Sequence, residues 1–162
     1  MNHGLAHLFT LLAMLVGSGW AACATAPDSN GHVAISDNVT TIATYAYSSC
    51  AGLVSVSIPS SVISIGSYAF AYASDLTWID VYSVGSIGTY AFSGTGLVRV
   101  NIFGSLTSIG AYAFSYNSNL KDLNIQGTVG TIGTCELSCA PRFGQRSLTF
   151  ALLATPRFGQ LH

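Results

Sequence analysis

Charge is what this sequence has least of. Its five Lys and Arg and six Asp and Glu make up 7% of 162 residues, against about a quarter in ordinary soluble chains. A net charge of −1 leaves no long-range field to gather nucleic acid or an anionic membrane surface. Half the residues are hydrophobic, which excludes a disordered chain, since that state needs the opposite balance. Long apolar runs are also lacking. Leu8–Val16 spans nine residues, well short of the roughly 20 that cross a bilayer as a helix, so no membrane span is expected in the mature chain. Histidine is scarce too: His3, His7, His32 and His162 all fall outside the repeats described below. No Ser/His/Asp or Cys/His set can therefore be assembled within them. Asp75 and Asp80 form a candidate carboxylate pair, but nothing in the pattern raises them above loop and strand-surface residues. No glycine-rich stretch opens a helix after a strand as a phosphate loop does. Enzymatic activity and cofactors are not expected.

Residues 1–26 read as a secretory signal. The apolar run is followed by Gly17, Ser18 and Gly19, then by Ala22-Cys23-Ala24, a small-x-small cleavage pattern. His3 and His7 stand where Lys or Arg usually precede the run. Trp20-Ala21-Ala22-Cys23 departs from a bacterial lipoprotein box at Trp20. On this reading Cys23 leaves with the signal, and Cys50, Cys135 and Cys139 remain. Cys135 and Cys139 either pair with each other or bind a metal, but no neighbouring His or Cys completes a zinc set. No metal site is expected.

The dominant feature is internal repetition. Ile42, Ile65, Ile87, Ile109 and Ile132 recur at intervals of 23, 22, 22 and 23 residues. Four of them lead into ATYAY, GSYAF, GTYAF and GAYAF. Leu53, Leu76, Leu97 and Leu120 follow each, then Val56, Ile79, Val100 and Leu123, then Ile58, Val81, Ile102 and Ile125. Val33 and Ile35 fit the same register as a partial first copy. Leu-x-x-Val-x-Ile ends in period-2 alternation of β-branched residues, the mark of a strand buried on one face. Since the next strand comes a full repeat later, successive strands must be parallel and joined by a returning segment. The expected fold is a mainly β solenoid with a parallel strand in each 22–23-residue coil and turns or short helical or 3₁₀ segments on the return side. Glycines 66, 88, 110 and 133 follow the isoleucine, where a tight turn or left-handed backbone is anticipated. The boundaries read as signal 1–26, linker 27–32, solenoid 33–133 with one partial and about four full repeats, and a degenerate cap or irregular tail over 134–162.

The stretch IATYAYSSCAGLVSVSIPSSV, from Ile42 to Val62, closely resembles the BspA-like leucine-rich repeat, matching at Ile42, Ala46, Tyr47, Cys50, Leu53, Val56, Ile58, Pro59, Ser61 and Val62. Ala73 and Asn117 replace the family cysteine in later copies, and Cys135-Glu136-Leu137 breaks the pattern of the fifth. The resemblance implies a secreted or cell-surface, non-enzymatic protein whose partner is an extracellular protein or glycan.

Alternation turns Ser55, Trp78, Arg99 and Asp122 outward, with Ser57, Asp80, Asn101 and Asn124. Trp and Arg are enriched at binding hot spots, so Trp78, Arg99, Asp80, Asn101, Asp122 and Asn124 are candidate binding residues. Tyr45, Tyr68, Tyr90 and Tyr112, one per coil, form a second candidate, either an adsorbing stripe or a stack that stabilises the coil. Thr41, Ser64, Ser86, Ser108 and Thr131 make a hydroxyl row of the kind that orders water. Asn38-Val39-Thr40 is a glycosylation sequon, giving Asn38 as a candidate site. Competing with adhesion are a purely structural or ice-ordering solenoid and a truncated piece of a longer array.

Overall fold

The computed structural model describes residues 23–134 and 148–150. The chain winds into a β-solenoid. Each coil places one strand in a six-stranded parallel sheet: β1 (His32–Ala34), β3 (Ser55–Ile58), β5 (Trp78–Tyr82), β7 (Arg99–Phe103), β9 (Asp122–Gln126) and β11 (Leu148–Phe150), in that spatial order. A second, five-stranded parallel sheet holds β2 (Thr41–Ile42), β4 (Ser64–Ile65), β6 (Ser86–Ile87), β8 (Leu106–Ile109) and β10 (Val129–Ile132).

The repeat interval sets the register. Val33, Val56, Ile79, Val100 and Leu123 are successive partners on adjacent parallel strands, and all five are buried. Ile58, Val81, Ile102 and Ile125 form the next inward row. No coil can cover its own apolar face, so each uses its neighbours, as solenoids do. The isoleucine row of the second sheet is buried from Ile42 to Ile109, whereas Ile132 is exposed.

The second strand was not anticipated. It is two residues long in three coils, too brief to show period-2 alternation. The return segments are runs of turns, not helical turns. At Tyr68–Ala73 the backbone N–H groups alternate in purpose. Those of Tyr68, Phe70 and Tyr72 donate to carbonyls of the next coil, at 2.8–2.9 Å, while those of Ala69, Ala71 and Ala73 close local turns. Every second donor is thus drawn out of any helical ladder. The left-handed residues are not the predicted glycines but the tyrosines: φ is 61° at Tyr45, 56° at Tyr68 and Tyr90, and 58° at Tyr112. The glycines serve close approach instead. A Cβ on Gly88 would lie 2.5 Å from the Ser67 backbone nitrogen of the preceding coil.

Inside the return segments Tyr47, Phe70, Phe92 and Phe114 stack at 5.1–5.3 Å. Beside them Asn117 is buried at the family's cysteine position. It pairs with Thr95 and donates to the carbonyls of Phe92 and Phe114 at 2.7 and 2.8 Å. This satisfies a polar side chain that would otherwise be costly in a core.

Candidate binding face

The outward side chains of the six-stranded sheet lie in columns across the coils. The first runs His32, Ser55, Trp78, Arg99, Asp122, and the second Ala34, Ser57, Asp80, Asn101, Asn124. All six candidate residues read from alternation therefore fall on one surface. Trp78 keeps 43% of its surface exposed. Asn101 donates to the Asp80 carboxylate at 2.8 Å, and the Arg99 guanidinium lies 3.5 Å from Asp122. Both partners of that ion pair are well exposed, and such pairs contribute at most about 1 kcal/mol. An open depression of about 450 Å³ is bounded by Thr77, Trp78, Asp80, Val98, Arg99 and Asn101.

Sequence reasoning missed part of this face. Tyr82, Phe103 and Gln126 form a third outward column, with the two rings stacked at 4.9 Å. The alternation Trp78-x-Asp80-x-Tyr82 and Arg99-x-Asn101-x-Phe103 already carried that signal. His32 was overlooked as well, although it stands one repeat interval before Ser55. Ser55, expected outward and open, is 7% exposed because the His32 ring covers it. The ring's Nδ1 is 2.8 Å from the Ser55 hydroxyl, and its Nε2 is 3.3 Å from that of Ser57. Asp28 binds the His32 backbone N–H, not the ring, at 2.9 Å, so these residues do not form a relay. Two N–H groups, of His32 and then Asn30, hold the Asp28 carboxyl below the usual carboxylate range. Asp75 and Asp80 have separate partners, the Gly52 N–H and Asn101.

The tyrosine row stacks continuously: Tyr45 to Tyr68 at 5.0 Å, Tyr68 to Tyr90 and Tyr90 to Tyr112 at 4.9 Å. Partial burial, with neighbouring tyrosines adding to it, raises the Tyr68 phenol above its ordinary value. The hydroxyl row is in register from Thr41 through Ser64, Ser86 and Ser108 to Thr131 on the second sheet. Asn38 is exposed.

Cys23, read above as departing with the signal, forms a disulfide with Cys50. Cys135 and Cys139 lie outside the described residues, as does the apolar run Leu8–Val16. Among the described residues, no three of His, Cys, Asp and Glu come together as a metal-ligand set. No helix among them is long and apolar enough to cross a membrane.

Parallel coils of 22–23 residues, each adding a strand to a shared parallel sheet, define a leucine-rich-repeat solenoid, typically a non-enzymatic binding scaffold. The chain belongs to the BspA type leucine rich repeat family, whose model matches residues 28–139 in six copies. Members of that family are generally surface-associated repeat proteins. No curated protein and no solved structure matches the chain.

Proposed function

We propose that this chain is a secreted or cell-surface recognition module that binds an extracellular protein or glycan through the outward face of its six-stranded sheet. One observation carries the reading. Trp78 stands half-exposed in a depression whose walls also include Thr77, Val98 and the polar side chains of Asp80, Arg99 and Asn101. A large ring left in water beside paired donors and acceptors suits a partner that offers both a flat apolar surface and hydroxyls or amides. Tyr82 and Phe103 extend the same face by a second aromatic step. Scattered exposed aromatics need no explanation, but rings and polar groups gathered on one face mark an interaction surface. The near absence of net charge supports short-range recognition, with little electrostatic steering.

The tyrosine row is assigned to coil packing. Its rings satisfy one another at the spacing of the coils, and each sits on a left-handed backbone set by the turn ladder. The test is Trp78→Ala in the exported chain. Binding to an array of extracellular matrix proteins and glycans is expected to fall at least tenfold, with the thermal midpoint unchanged. Retained binding removes this face from the function.

A further inference from the structure

The residues just after the apolar leader are built into the first coil. Cys23 is half-buried against the core, bonded to the buried Cys50 with a Cα–Cα distance of 5.3 Å. The Ala24 N–H donates to the Ala46 carbonyl at 2.8 Å, the same bond that the Tyr47 N–H makes to Ala69 one coil later at 2.7 Å. Asp28 then closes a turn through the N–H groups of Asn30 and His32, and the Gly31 carbonyl accepts from Val54 and Ser55. Residues 23–31 thus supply a rung stacked on the first full coil.

A cut after Ala24, the position favoured by Ala22-Cys23-Ala24, would strip that rung of its cysteine and of the Ala24 amide. The small-x-small rule is also met upstream, by Gly17-Ser18-Gly19 and by Gly19-Trp20-Ala21, of which the second leaves Cys23 as the second residue of the new chain. We propose that an exporting endopeptidase cleaves between Ala21 and Ala22, so that Cys23 stays on the mature chain as the staple of an N-terminal cap. Water adds across that peptide bond, leaving a carboxylate on Ala21 and an amine on Ala22. The Cys23 and Cys50 thiols then pass two electrons and two protons to a thiol–disulfide oxidoreductase of the oxidising compartment. The inference rests on the export reading.

The test expresses the full chain in a host with an export pathway and maps the recovered protein by mass spectrometry, alkylating it with and without reduction. An N-terminus at Ala22, with Cys50 alkylated only after reduction, is the expected result. In Cys23→Ser, Cys50 should become alkylatable without reduction. An exported chain beginning at Thr25 or Pro27 overturns the inference and leaves the export reading standing, as does one beginning at a lipid-modified Cys23. A chain retained inside the cell with its leader intact overturns both.

Discussion

Two aromatic rows run side by side along the return segments. Tyr47, Phe70, Phe92 and Phe114 stack at 5.1–5.3 Å, and Tyr45, Tyr68, Tyr90 and Tyr112 at 4.9–5.0 Å. Spacing and repetition are nearly the same, while burial is not. The first row is enclosed, whereas Tyr45 of the second is 58% exposed. Regular stacking is therefore a consequence of the coil rise, close to the strand spacing of about 4.8 Å, and is not in itself a sign of a ligand. The first outward column of the large sheet behaves differently. His32, Ser55, Trp78, Arg99 and Asp122 share one column yet differ in size and chemistry at every step. A column that maintains the coil repeats one residue type. A column released from that duty is free to vary, and this separates the proposed binding face from the ladders.

The comparison breaks if the enclosed row does not dominate stability. Phe92→Ala leaves a cavity between Phe70 and Phe114 and should cost about 3–5 kcal/mol, read as a lower denaturant midpoint. A smaller loss would mean that the coils close up around the gap. Tyr90→Ala removes two ring stacks at a partly buried position and should cost about 1–2 kcal/mol, without relief of the left-handed backbone at φ 56°. A loss equal to that of Phe92→Ala would erase the distinction between the rows.

The sequence displayed the large sheet because its strands bury one face, so Val56-Ser57-Ile58 and Ile79-Asp80-Val81 alternate visibly. The same alternation exposed Trp78, Asp80, Arg99 and Asn101 as neighbours across coils. Tyr82 and Phe103 lie outside the Leu-x-x-Val-x-Ile pattern, which ends at the last aliphatic residue, whereas β5 and β7 each run one residue further. The second sheet was illegible because a pair such as Ser64-Ile65 is too short to carry a period. Of the two expectations for the glycines, the tight turn holds, with the Gly66 and Gly88 carbonyls accepting from the Ala69 and Ala91 N–H groups, and the left-handed backbone does not. Gly66 and Gly88 also admit the preceding coil, and in the turns they open the positive φ falls on Tyr68 and Tyr90, whose type gives no hint of it. The Cys23–Cys50 bond was hidden by the signal pattern overlapping Cys23. Competing small-x-small sites cannot be ranked without knowing which residues the fold needs.

The N-terminal rung offers the mildest and most discriminating measurement. Asp28 belongs to neither kind of column; it closes the turn that leads into β1. Its carboxyl is held below the usual range by N–H groups that favour the charged form. A depressed folded-state pKa means that Asp28 contributes stability above the unfolded value, about 3.9, and loses it as pH falls through the folded value. The wild type should therefore exceed Asp28→Asn in denaturant midpoint at neutral pH, with the gap narrowing below about pH 4 and closing in stronger acid. The effect appears in global unfolding only if residues 23–31 unfold together with the coils. Cooperativity between neighbouring repeats predicts that they do. Identical midpoints for the two proteins at every pH would show the rung fraying independently, and would confine the cooperative unit to the coils that share the phenylalanine row.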